Sequence, residues 1–279
     1  MTRDPLLTAK VHETLRAAIG VGDGTVECSL DLDRSTTRVE ASAANWHWDG
    51  REYPWLERCN DRTIYYWTGT DFQPVARYST ALIKLVPTEW GPPTFEIDGI
   101  KMLPTAQVSP YEDARRKVAL IRPRGKVILD TCGGLGYFAA CCVDAGAAQI
   151  LSYEKNADVL WLRTLNPWSP AQDDARLQLT RGDVTQHIES LPERSVDAIL
   201  HDPPRFGIAG ELYSQTFYEQ LARVLKPRGL LFHYTGSPNK LTSGRDVPRE
   251  VQERLRRAGF AAELSGDGVL ARKTAKTML

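Results

Sequence analysis

Acidic residues stand where four strand-like runs stop: Asp130 after Val127-Ile128-Leu129, Glu154 after Ile150-Leu151-Ser152-Tyr153, Asp183 after Leu177 to Gly182, and Asp202 after Val196 to His201. The first run opens directly into Thr131-Cys132-Gly133-Gly134-Leu135-Gly136-Tyr137. Glycines there let the backbone turn sharply and let a ligand come close to the chain, which is the chemistry of a cofactor loop. Gly134 to Ala139 satisfies the dinucleotide fingerprint G-x-G-x-x-A, and Glu154 lies at about the distance that fingerprint asks of a ribose-binding acid. Asp130 argues against that ligand, because a carboxylate at the loop repels a pyrophosphate and suits a positively charged group. Any one of these acids alone reads as a helix cap or a solvated turn residue; their recurrence in order is the signal.

The fourth run carries the residues for group transfer. In His201-Asp202-Pro203-Pro204-Arg205-Phe206 two prolines fix the backbone, so the Asp202 carboxylate and nearby carbonyls are held toward a target. Asp202 is read as the group that orients a nucleophile, His201 as the base and Arg205 as an anchor for a substrate carboxylate or phosphate. His233, also at a strand end, reads as a hydrogen-bonding histidine. Tyr111 and Tyr137 flank the glycine loop in sequence, where a ring can lie against a cationic centre.

Asp130 to Gly136 resembles D-x-G-x-G-x-G, the first motif of class I S-adenosylmethionine-dependent methyltransferases, with Cys132 in the first glycine position. The resemblance implies S-adenosylmethionine as cofactor. It also implies that Asp130 faces the methionyl amino group, Glu154 the ribose hydroxyls and Asp183 the adenine amine, with Cys132, Gly134 and Gly136 lining the loop. The Asp202-Pro203-Pro204 stretch resembles the [N/D/S]-P-P-[Y/F] loop of amino-group methyltransferases, but Arg205 stands where an aromatic ring is usual, which speaks against a flat nucleobase substrate. Further blocks are similar to a family of predicted archaeal-type methyltransferases called spermine-synthase-like: Gly99 to Met102, Pro110 to Asp113, Leu165 to Ser169, Gly210 to Ser214, Phe232 to Gly236 and Gly244 to Pro248. Leu212 to Tyr218, followed by Val224 to Gly229, is also similar to the polyamine aminopropyltransferases.

These residues need elements to hold them. A helix is expected from Leu6 to Ile19, then from Thr25 to about Pro104 short β-branched and aromatic runs with turn signals at Asp49-Gly50 and Thr68-Gly69. From Pro110 strands near 126–131, 149–154, 176–181, 196–201 and 229–234 alternate with helices near 111–121, 136–145, 156–165, 185–191, 211–225 and 248–258. That alternation predicts a parallel sheet covered on both faces. Ser265-Gly266-Asp267-Gly268 signals a closing antiparallel hairpin, a feature foreign to dinucleotide folds. The expected architecture is thus an α/β, Rossmann-like doubly wound domain over 105–279, preceded by a helix and β-rich domain over 1–104. Trp46, Trp48, Trp55, Tyr65, Tyr66 and Trp67 are read first as that domain's core or an oligomer interface, and second as a substrate entrance.

Lysine plus arginine and aspartate plus glutamate both number 35, so no long-range pull toward nucleic acid or an anionic membrane is expected. No apolar run approaches the roughly 20 residues of a membrane span, and the first residues lack a signal peptide's hydrophobic region; a cytoplasmic enzyme is expected. The five cysteines form neither a C-x-x-C pair nor a metal-spaced cluster, so no metal is expected. The resulting expectation is an S-adenosylmethionine-dependent methyltransferase acting on a small-molecule nitrogen or oxygen, with a homodimer or an acceptor pocket as the use of the β domain. The alternatives are transfer or cyclisation of the aminopropyl or aminocarboxypropyl arm, and a non-catalytic cofactor-binding protein.

Overall fold

A computed structural model describes residues 4–22, 24–236 and 246–275; Gly244 and Arg245 of the quoted blocks lie outside them. The chain forms two compact units, one reaching to Asp113 and including Trp161–Trp168, the other made of Ala114–Leu160 and the chain from Ser169 onward. The expected division at 104/105 did not foresee that Trp161–Trp168 join the first unit. The reason is aromatic packing: Trp161 meets the Tyr66 ring edge-on at 5.9 Å and lies under the Arg77 guanidinium, and Trp168 Nε1 donates to the Leu32 carbonyl at 2.8 Å.

The first unit is built of antiparallel strands. Thr25–Cys28, Thr37–Ala41, Asn45–Trp48 and Arg51–Pro54 form one four-stranded sheet in chain order. Asp49 and Gly50 take φ of 52° and 72°, the two left-handed residues of a tight hairpin turn. Trp46 is fully buried, stacked on Tyr53 at 4.4 Å and on Phe72 at 5.9 Å, so this aromatic cluster serves as core. The expected first helix is shorter, Ala9–Ala17, because Thr8 caps it, while Leu6–Leu7 pair with Tyr65 and Tyr66 as a strand.

The second unit holds the sheet that positions the acids. Its strands are β1 (Val127–Asp130), β2 (Gln149–Glu154), β3 (Leu177–Arg181), β4 (Val196–His201), β5 (Leu225–Tyr234), β6 (Phe260–Ser265) and β7 (Gly268–Lys273). Their order is β3-β2-β1-β4-β5-β7-β6, parallel through β5, with β7 antiparallel to both neighbours. Leu129, Ile199, Leu200 and Leu231 are wholly buried. Each such side chain contributes roughly 1.5–3 kcal/mol of transfer free energy, which is why these strands read as continuous apolar runs. The chain order reverses on either side of β1, the place in an open parallel sheet whose carboxyl edge receives ligands.

Two boundaries differ from expectation. β5 begins at Leu225, four residues early, and bulges: Val196 pairs with Leu225 but Ala198 with Leu230. Arg228 takes φ 65°, and a side chain on Gly229 would strike Leu225 and the Asp197 carbonyl, so Lys226-Pro227-Arg228-Gly229 is folded into the strand as a bulge. The helix expected over 211–225 is divided into a short 3-10 segment, Gly210–Tyr213, and the helix Gln215–Val224. Ser214 divides them because its hydroxyl caps Phe217 N at 3.1 Å and its backbone is extended. No helix among the described residues is long and apolar enough to cross a membrane.

Candidate active site

The glycine loop is held by the strand beside it. Gly133 N donates to the Tyr153 carbonyl at 2.7 Å, and Gly134 N donates to Glu154 Oε2 at 2.9 Å. Gly134 and Gly136 take φ of 49° and 83°, a conformation that a side chain strains. Glu154 Oε1 accepts from Asn156 N at 2.8 Å, so the carboxylate is fixed at both oxygens while remaining partly exposed. A carboxylate accepts up to about four hydrogen bonds, so Glu154 is suited to take the two hydroxyls of a ribose from its open side.

Asp130 lies deeper than expected. It is 1% exposed, and Ser152 Oγ donates to its Oδ2 at 2.8 Å. Its charge reaches the loop, where it adds to the field at Cys132. Tyr137, in the first turn of the helix Tyr137–Asp144, is 3% exposed. Tyr111 belongs to the first unit, where its ring lies 5.3 Å from that of Trp168.

Cys132 is the reporter of the site's charge. Its thiol is pushed well above its ordinary range first by burial, then by the charge of Glu154, with Asp202 and Asp130 adding to it against a hydrogen bond from Thr131. Three carboxylates from the ends of β1, β2 and β4 thus face one small loop residue, an arrangement that favours a cation and disfavours a pyrophosphate. Asp183 stands one strand further out, at the end of β3. It caps the helix Val184–His187 through Thr185 N and lies 3.8 Å from Lys155 Nζ, which is also 3.8 Å from Glu211. Burial works to raise the Asp183 carboxyl, but the two Thr185 hydrogen bonds and Lys155 together hold it below its ordinary value.

After β4 the chain makes the Asp202-Pro203-Pro204 turn. Tyr213 OH donates to the Pro204 carbonyl at 3.1 Å, and the Phe206 ring meets Tyr213 edge-on at 5.4 Å. Asp202 is partly exposed and Arg205 exposed. His201 departs from the expected base. It is wholly buried; its Nε2 lies 3.0 Å from the Leu212 carbonyl and its Nδ1 2.7 Å from Thr131 Oγ1. Burial lowers its pKa to about 4, against the opposing pull of the Leu212 carbonyl. A neutral imidazole with both nitrogens occupied and no exposed surface is in no position to take a substrate proton. His233 is as buried, between Tyr218 OH at 2.9 Å and the Tyr234 carbonyl at 2.8 Å, and is lowered by burial and then by His201.

Thr131, Ser152 and Tyr213 were not singled out from sequence. Each acts through a contact with a residue distant in the chain; only Tyr213 carried a signal, as part of the Gly210 to Ser214 block. Among the described residues no group of histidine, cysteine, aspartate and glutamate side chains could hold a metal ion.

A family described as S-adenosyl-L-methionine-dependent methyltransferase matches residues 153–265. An uncharacterized protein of Methanocaldococcus jannaschii is 42% identical over 198 residues, covering 71% of this chain and 68% of that protein. Polyamine aminopropyltransferase 2 of Streptomyces coelicolor is 34% identical over 95 residues, 33% of this chain, which spans only 16% of that enzyme's length. A spermidine synthase in complex with the transition-state analogue AdoDATO shares the fold, with a TM-score of 0.59, 17% identity and coverage of 73% and 74% of the two chains. Strand order, the antiparallel β7, the carboxylate-ringed glycine loop and these similarities converge: the chain belongs to the class I S-adenosylmethionine-dependent methyltransferase superfamily and is a transferase whose cofactor is S-adenosylmethionine.

Proposed function

We propose that this enzyme transfers the methyl group of its cofactor to a nitrogen or oxygen of a small molecule, with a positively charged amine as the favoured acceptor. The observation that carries the reading is the set of carboxylates Glu154, Asp202 and Asp130 around Cys132, combined with a Pro-Pro turn pinned by Tyr213. When bound, the cofactor supplies a sulfonium whose methyl carbon is open to direct displacement. Glu154 would accept from the ribose hydroxyls, and the loop from Cys132 to Gly136 would hold the cofactor. Asp183, at the next strand end, serves the adenine amine. Asp202 accepts a hydrogen bond from the acceptor's N–H or O–H, fixes its line of approach and takes a proton at a carboxylate oxygen, which leaves the lone pair that forms the bond to the methyl carbon as the carbon–sulfur bond breaks. The exposed Arg205 holds an anionic group of the acceptor at the rim. His201 takes no proton in this scheme.

Local similarity to polyamine aminopropyltransferases supports a second reading, in which the first carbon of the methionyl arm is attacked in place of the methyl. The Asp202-Pro203-Pro204 turn favours the first. The by-product separates them without knowledge of the acceptor: incubation with cofactor and cell extract yields S-adenosylhomocysteine from methyl transfer and methylthioadenosine from arm transfer. Enzyme-dependent methylthioadenosine would replace the first reading with the second. The proposal includes a homodimer, motivated by Tyr78, Leu82, Trp90 and Ile100, large apolar residues exposed within one stretch of the first unit. A monomer mass by light scattering would remove that part.

A further inference from the structure

We propose that His201 is a positioning residue that sets two halves of the site through separate nitrogen atoms. Nδ1 holds the cofactor loop by way of Thr131, and Nε2 holds the acceptor-side turn by way of the Leu212 carbonyl. The inference rests on the assignment of the glycine loop to the cofactor and of the Asp202 turn to the acceptor.

Chemistry fixes the direction of each bond. A carbonyl only accepts, so Nε2 carries the imidazole proton and donates to Leu212. Nδ1 therefore presents a lone pair, and the Thr131 hydroxyl donates its one proton to it at 2.7 Å, the shortest of its contacts, ahead of the Leu200 carbonyl at 3.3 Å and Cys132 Sγ at 3.8 Å. Thr131, itself 2% exposed, is followed directly by Cys132 and the glycines. On the other side the links close into a ring. The chain runs from His201 through Asp202 and Pro203 to Pro204; Tyr213 OH returns to the Pro204 carbonyl, and Leu212, the neighbour of Tyr213, returns to His201 Nε2. Asp202 is held between those two hydrogen bonds. The ring itself cannot turn. His233 packs against it edge-on at 4.4 Å and Phe217 at 5.4 Å, while His233 is locked in turn by Tyr218 OH and the Tyr234 carbonyl.

The two nitrogens can be removed one at a time in the full chain. In His201→Gln the amide reaches the Nε2 position and keeps the Leu212 bond while losing the partner of Thr131; in His201→Asn the amide oxygen stands near Nδ1 and keeps Thr131 while losing Leu212. Titration calorimetry with S-adenosylhomocysteine reads the cofactor half, and amide hydrogen exchange of the segment from Asp202 to Tyr213 reads the other. His201→Gln should bind S-adenosylhomocysteine up to about tenfold more weakly, the size of one lost hydrogen bond, with exchange in that segment unchanged. His201→Asn should show the opposite, unchanged affinity and exchange faster by about the same factor. Thr131→Val should reproduce the affinity loss of His201→Gln and add nothing to it in the double variant. A purely structural histidine predicts that both variants disturb both readouts alike, and that result overturns the proposal. Should both histidine variants fail to fold, Thr131→Val decides: affinity equal to that of the unaltered chain refutes the link. Failure of the unaltered chain to bind S-adenosylhomocysteine would instead refute the cofactor assignment, with the exchange comparison still testing the positioning role.

Discussion

Acidification should weaken this protein in a way that His201 dominates and that can be separated from the titration of its carboxylates. The imidazole is wholly buried and its pKa is lowered from 6.5 to about 4, first by burial. A histidine with a depressed folded pKa binds its proton more readily in the unfolded chain, so folding stability falls as pH drops below the unfolded value. The loss is complete once the pH is below the folded value. Between those two values the difference in proton binding amounts to about 2 kcal/mol at pH 5 and about 3 kcal/mol at pH 4. Urea unfolding of the unaltered chain and of His201→Gln, each followed from about pH 7.5 to pH 4, gives the quantity directly. The variant should be less stable at neutral pH because Thr131 loses its buried partner, and the gap should close by about 3 kcal/mol at the acid end. Carboxylates contribute equally to both chains and cancel. His233 is lowered first by burial, a cause that persists in the variant, so the two curves differ in its titration only by the lesser share that His201 adds. A gap that is flat across this range would refute the picture of a neutral, sealed imidazole.

Three further outcomes follow from the site. Glu154→Ala removes an acceptor for the cofactor ribose and for Gly134 N, and should weaken S-adenosylhomocysteine binding by about 1.5–3 kcal/mol, roughly tenfold to a hundredfold, in calorimetry. Tyr213→Phe frees the Pro204 carbonyl; it should cost about 1 kcal/mol of stability and lower turnover with cofactor affinity unchanged, so an equal loss of affinity would show that the turn does not belong to the acceptor side. Ser214→Ala removes the cap that divides the 3-10 segment from the helix Gln215–Val224, and should lower the urea midpoint by the equivalent of about 1 kcal/mol.

The order of elements in the second unit was legible because strand-like runs alternate with helical ones, the first four of those runs stop at an acid, and the final hairpin announces itself in Ser265-Gly266-Asp267-Gly268. The family and the cofactor followed from the same residues, since the glycine loop is contiguous in the chain and its charges recur at successive strand ends. What the sequence did not disclose depends on contacts across it. Asp130 and His201 both stand at strand ends, where ligands bind, yet one carboxylate is sealed by Ser152 of the neighbouring strand and the imidazole is closed between Thr131 and Leu212. Glu154 stays partly exposed at the same level of the sheet, with Gly134 and Asn156 aiming it. The membership of Trp161–Trp168 in the first unit was hidden likewise, in the rings of Tyr66 and the carbonyl of Leu32. Residue type and period declare which face of an element is apolar and where it ends; which polar group at that end is buried is decided only when the neighbouring strand and the returning loop supply a donor.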